Sequence, residues 1–393
     1  MLKKTIALLL SVLIIAGCSS APAAVESSSS SEAAPASSSE ITAPEAEYTP
    51  EYKYKNPDPD MVMITAPDGD VTYKDYRLYL DVAEAMSRYS ARQNIAVCYL
   101  LERDLKEMGV EINEEEYNKL ADEQLMSTLL YSPSLAEDIK TIAEATGMTE
   151  KQANEAMKFS SRTQYLVTLL GDEFQRLAAE KYVAPTEDTN AVEGETEEEA
   201  AARREAEKLS AIYDMAMADL NEYSAKYDAR LDFSNDKVLA TFDGTDIPLT
   251  EEYTRFVDYS GMAARVDAIS FIQAGELSIR ALEGRQAKLD TDAIMADFAQ
   301  QVAAMRSSAP YMEQLQTFCE PFGATCDDYF EALKRPIILQ SAGDLLYADL
   351  VQEFEKLAAE GKADDLGATA DEYYVNTITE LVAKSEVVNI SGK

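Results

Sequence analysis

The chain has no histidine and no tryptophan among its 393 residues. Without histidine it lacks the commonest general base, the usual Ser–His and Cys–His nucleophile pairs and the ordinary zinc sites. Cysteine is scarce, at four residues, and no glycine-rich phosphate loop occurs. Basic residues are few, 35 against 72 acidic ones, giving a formal net charge of −37. That argues against a nucleic-acid partner, whose phosphates need Lys and Arg, and against flat adsorption to anionic lipid. Asp68-Gly69-Asp70 and Asp232-x-Ser234-x-Asp236 faintly resemble calcium loops. Both lack the glycine at the sixth position and the glutamate at the twelfth, so they read as turns. No catalytic, metal-binding or cofactor-binding residue can be named, and no carboxylate pair stands out among so many acids.

The N-terminus is more specific. Met1-Leu2-Lys3-Lys4 is a short basic start, followed by an apolar run from Ile6 to Ile15 and then Ala16-Gly17-Cys18. This is the order of a secretory signal. The run is shorter than the roughly 20 residues a transmembrane helix needs. Cysteine directly after Ala-Gly resembles the bacterial lipobox. That resemblance implies a signal peptide over 1–17, a lipid on Cys18, and anchoring at the outer face of a cell membrane. Residues 18–57 are dominated by Ser, Ala, Glu and Pro, too polar to repay ordering. As a coil of about 39 residues they form a tether with a reach of roughly 35 Å.

The remaining chain repeats itself at an offset of about 177 residues. Met61–Ile64 before Pro67-Asp68-Gly69-Asp70 matches Val238–Phe242 before Asp243-Gly244-Thr245-Asp246. An Asp-Gly between apolar runs predicts a hairpin. Lys74-Asp75-Tyr76 then matches Glu251-Glu252-Tyr253 in helical sequence. Asn113 and Asp290 are natural helix N-caps, and Thr149 with Gln152 matches Thr325 with Asp328 as a helix start after glycine. The helix after Thr149 carries Leu166, Leu169, Leu170, Phe174 and Leu177 on one stripe. Each copy closes on a helix and an apolar segment, 229–233 and 387–390. The acidic stretch 185–203 reads as a linker insertion in the first copy. The pattern predicts a mainly α fold of two tandem helical lobes, 58–233 and 234–393. Each lobe is expected to build a small antiparallel β element from its first and last segments.

The strand–turn–Thr–helix opening, with Gly-Val-Glu-Ile-Asn-Glu-Glu-Glu at 109–116 and Gly-Met-Thr-Glu at 147–150, is similar to the N-terminal domain of SurA- and PrsA-type extracytoplasmic foldases. The similarity covers most of 60–233 and, more weakly, 237–390. It implies two chaperone-like lobes that cradle unfolded secreted polypeptides. The family's parvulin domain needs about 90 residues and normally includes histidines, and neither is found here. The resemblance thus implies a chaperone rather than an enzyme, with 14 Met and 22 Tyr suited to adaptable apolar contacts. The alternative is a scaffold lipoprotein binding one folded envelope partner. Cys98 reads as a buried small hydrophobe. Cys319 and Cys326, flanking a helix joint, could form a disulfide or remain two core thiols.

Overall fold

The computed structural model describes residues 58, 60–131, 135–185, 195–224, 231–233, 235, 237–362, 366–367 and 369–390. The signal, Cys18 and the tether lie outside the described residues, as do Ser234, Asp236 and 186–194 of the acidic stretch. In order the elements are β1 (Val62–Thr65), β2 (Val71–Thr72), α1 (Arg77–Glu107), α2 (Glu114–Tyr131), α3 (Leu135–Thr146), α4 (Glu150–Phe159), α5 (Arg162–Lys181) and α6 (Glu197–Ser224). The second repeat follows with β3 (Leu231–Asp232) closing the first, then β4 (Ala240–Phe242), β5 (Thr245–Ile247), α7 (Glu251–Gly284), α8 (Thr291–Arg306), α9 (Ala309–Cys319), α10 (Cys326–Ala359), α11 (Ala370–Val382) and β6 (Glu386–Val387). The fold is mainly helical with two small antiparallel sheets of three strands.

Local chemistry sets the element ends. Asn113 Oδ1 accepts from the Glu115 and Glu116 amides at 3.1 and 3.2 Å, and Asp290 caps α8 through the Ala293 amide at 3.1 Å. Thr149 with Gln152 and Thr325 with Asp328 form reciprocal capping boxes. Asp243 and Gly244 both take positive φ, 51° and 75°, as a two-residue hairpin turn demands. The helix expected to run on from Thr149 is broken. The Ser160 side chain donates to the Met157 carbonyl at 2.6 Å, competing with the helical ladder, and α4 ends there. Within the acidic stretch, α6 already begins at Glu197, with Thr196 and Glu199 bonded reciprocally at its start.

The strand pairing differs from the expectation that each repeat closes on itself. β3 pairs with β4, and β6 pairs with β1, giving orders β3-β4-β5 and β2-β1-β6. The closing strand of each repeat thus joins the opening hairpin of the other. The physical reason is helix length. Each hairpin leads into a helix of 31 or 34 residues, roughly 46 to 51 Å long at 1.5 Å per residue. Each hairpin thus falls in a different compact unit from most of the helices that complete its own repeat.

The chain accordingly divides into two compact units that do not coincide with 58–233 and 234–393. One takes the described residues up to Ser90, 135–153 and those from Arg255 onward. Its core joins Met63, Ile64, Tyr73, Tyr76 and Leu80 of the first repeat to Ile269, Ile272 and Leu339 of the second. There α7 and α10 approach so closely that a Cβ on Gly275 would stand 2.5 Å from the Leu339 Cβ.

The other unit takes 91–131 and 154–254. Its α5 and α6 carry buried Leu166, Leu170, Phe174, Ile212, Ala216 and Tyr223, with Phe174 and Tyr223 edge to face at 5.8 Å. The Arg92 guanidinium donates to the Leu239 and Val238 carbonyls at 2.8 and 3.1 Å. That ties the second repeat's opening strand to α1.

Because each unit needs elements of both repeats, fragments 58–236 and 237–393 made separately should each lack a cooperative thermal transition. Mixing them should restore one. Circular dichroism melts of the fragments, alone and combined, check this; two independently cooperative fragments would contradict the exchange.

Candidate functional site

A pair of arginines is buried inside the first unit. Asp81 and Arg88 on α1 stand 177 residues before Asp258 and Arg265 on α7. Arg88 bonds Asp258, and Arg265 bonds Asp81 at 3.3 Å. The contact is reciprocal, in the manner of an isologous interface. Glu84 serves both cations, at 3.0 Å from Arg88 and 3.4 Å from Arg265. Its counterpart in the second repeat is Gly261, where a Cβ would stand 2.6 Å from the Arg88 Cγ. Arg265 is fully buried. Its Nε donates to the Ile390 carbonyl at 2.8 Å, and its guanidinium lies 5.6 Å from the Tyr73 ring centre. Tyr73 also donates to Ile390 at 3.2 Å, and Asn389 donates to the Val62 carbonyl at 2.7 Å. These groups hold helices and strands in register.

The thiols are placed where they do little chemistry. Cys98 is buried, with its sulfur 2.9 Å from the Thr163 hydroxyl, and burial pushes its pKa up to about 12. Cys319 is likewise pushed up to about 12, chiefly by burial, and that of Cys326 is raised for the same reason. A protonated thiol is a poor nucleophile. Cys319 and Cys326 belong to one core cluster with Val82, Leu315, Phe318, Tyr329 and Phe330, and both are free thiols. Cys326 Sγ instead donates to Gln316 Oε1 at 3.3 Å. An open depression of about 480 Å³ lies beside it, lined by Met312, Gln316, Glu320, Thr325 and Asp327. Among the described residues, no group of three or more Cys, Asp or Glu is placed to hold a metal ion. No described helix is long and apolar enough to cross a membrane.

The third feature is a surface. Helix α2 is anchored chiefly through its first half. Arg162 forks onto Glu114 at 2.6 and 2.8 Å and reaches Glu102 at 2.8 Å. Tyr117 packs on Tyr165 with ring centres 5.7 Å apart and donates to the Lys158 carbonyl at 3.0 Å. From Asp122 to Leu130 no side chain of α2 is fully buried. Yet Leu125, Met126, Leu129 and Leu130 continue along adjacent rows of its surface. Met126 is 58 % exposed and Leu130 78 %.

The second repeat supplies an internal comparison. With the caps Asn113 and Asp290 aligned, Leu125 corresponds to the apolar Val302, whereas the positions of Met126, Leu129 and Leu130 carry Ala303, Arg306 and Ser307. The helix forms with polar or small residues there. Leucine and methionine are therefore not a requirement of its packing.

No family model matches the chain, and no curated protein or solved structure matches it.

Sequence reasoning did not single out the arginine pair, although its signal was present as Asp and Arg seven residues apart at the repeat offset. It also missed the α2 face, because an exposed apolar stripe and a core stripe have the same helical period. Replacing Arg265 by Leu removes the counter-charge from buried Asp81 and the donor to Ile390. It should lower stability by about 3 kcal/mol or more, the cost of breaking one side of a buried ion pair. Urea unfolding followed by circular dichroism measures this, and an unchanged midpoint would refute the role assigned to the pair.

Proposed function

We propose that the chain is a lipid-anchored extracytoplasmic protein that holds unfolded or extended secreted polypeptides without catalysing a reaction on them. The observation that carries this reading is the α2 face. Met126 and Leu130 are exposed and Leu125 and Leu129 partly exposed, where the second repeat carries Ala303, Ser307, Val302 and Arg306 respectively. An apolar face that the fold does not require is a candidate for transient contact with another chain. The resemblance of the repeat openings to SurA- and PrsA-type foldase domains points the same way. So does the net charge of −37, which would keep a loaded complex dispersed. Prolyl isomerisation must lower a barrier of roughly 20 kcal/mol and needs a preorganised pocket, whereas holding needs only an apolar surface.

The purified chain should slow aggregation of a denatured test protein at near-stoichiometric ratios, while leaving the isomerisation rate of a proline-containing peptide unchanged. Light scattering and a coupled peptide assay measure the two. Isomerase turnover would overturn the non-catalytic reading. Failure to slow aggregation, with the fold intact by circular dichroism, would favour a scaffold that binds one folded envelope partner.

The anchor is tested separately. Cys18→Ala should leave the precursor unprocessed or release the protein from membranes. Unchanged processed mass and membrane fractionation of that variant would refute lipidation at Cys18.

A further inference from the structure

The chemistry around the α2 face specifies more than an apolar ligand. Resting on the reading above, we infer that the exposed face of α2 selects extended segments in which basic residues flank an apolar one. Helix α2 carries five acidic residues and one lysine. Glu115, Glu116 and Glu123 are exposed, with Lys119 reaching Glu123 only at 4.0 Å, whereas exposed Asp122 is already paired with Lys158 at 2.6 Å. In α8, the matching helix, the acids are Asp292 and Asp297, and Arg306 stands in place of Leu129. The first repeat's helix is thus richer in exposed acids and exposes Met126 and Leu130, whereas Val302 and Met305 of α8 pack against the core cluster around Phe318.

The two kinds of residue are also ordered. Glu123 lies one turn before Met126, and Glu115 and Glu116 lie two further turns back. At 1.5 Å per residue this spans roughly 16 Å, which about five extended residues cover at roughly 3.3 Å each. An incoming chain with Lys or Arg a few residues from Leu, Phe or Met can lay its apolar side chain on Met126 and Leu130. Its cations then face the acids. Complementary charge of this kind governs which partners are accepted and how fast they arrive. An anionic membrane surface is repelled by the same acids. An acidic polypeptide would bring like charges together over the first half of the helix.

The test uses two fluorescent twelve-residue peptides, one of Leu and Phe interspersed with Lys and one with Glu in place of every Lys. Polarisation with the purified chain should give affinity for the Lys peptide about tenfold or more above that for the Glu peptide at low salt, with the gap narrowing as salt screens it. Met126→Ala with Leu130→Ser, which copies the residue types of the second repeat, should weaken the Lys peptide about tenfold through lost apolar burial. Glu115→Gln, Glu116→Gln and Glu123→Gln together should reduce the preference for Lys over Glu while keeping apolar binding. Equal affinity for the two peptides, no binding of either, or wild-type affinity in the Met126/Leu130 variant would each overturn the inference. So would binding to vesicles with one-third anionic lipid in place of the Lys peptide. The holding activity is read independently by the aggregation assay. A chain that slows aggregation yet shows no peptide preference retains that activity and loses only this selectivity.

Discussion

Two arginines buried where α1 meets α7 constrain the first unit more than any other contact. Moving a guanidinium out of water costs several kcal/mol even after relaxation, and Arg265 is completely buried. That cost is offset only when every donor finds a partner. Arg265 uses Asp81, Glu84 and the carbonyl of Ile390, and Arg88 uses Glu84 and Asp258. Sliding one helix past the other by a turn would strand these charges. The network therefore acts chiefly against wrong registers, and the apolar cluster around Ile64, Tyr76 and Ile272 supplies most of the favourable free energy. Gly261 fits the same logic, since any Cβ there would displace Arg88.

The exchanged strands follow from this crossing together with polymer geometry. β6 is only two residues long and could not hold its place by ladder bonds alone. It is fixed by what lies beyond it: Asn389 on the Val62 carbonyl, and Ile390 between Tyr73 and Arg265. The ion network that registers the helices thus also captures the end of the chain. β3 faces a shorter search. Only seven residues separate its last residue from β4, so its pairing with the next repeat's hairpin closes a small loop and costs little entropy.

Much of this was legible in the residues, and the limits have physical causes. The caps at Asn113, Asp290, Thr149 and Thr325 and the Asp243-Gly244 turn are local chemistry, and each forms where the spacing put it. The break at Ser160 was not foreseen because a serine is compatible with a helix until its side chain takes the Met157 carbonyl. The partners of β3 and β6 were misassigned because repetition fixes the order of elements without fixing which copy each one joins. Two copies of one pattern can close on themselves or exchange ends with nearly the same local contacts, as domain-swapped protomers do. Only helix length and the buried charges decide between them. The α2 face was hidden for a different reason. Apolar periodicity reports a face that is apolar, not whether a neighbour covers it.

The size of that face bears on what it can do. Its four side chains expose on the order of 300 Å² of apolar surface, which at about 25 cal/mol per Å² corresponds to roughly 7 kcal/mol before any cost of binding. Loss of translational and rotational freedom, with ordering of an extended chain, takes back about 4 kcal/mol or more. A single contact of this kind is weak and short-lived. Brief contact fits the proposed holding of unfolded polypeptide, and it would be a poor way to hold one folded partner permanently. Tighter retention would need a second contact on the same client, since linking two weak sites raises the effective concentration at each. The same unit exposes Leu209 and Tyr213, one helical turn apart on α6, to 58 % and 49 %. A long unfolded chain can reach both faces in sequence, whereas a short peptide can occupy only one at a time. Affinity should then rise with client length, and the chain would discriminate unfolded polypeptide from folded protein without a deep pocket.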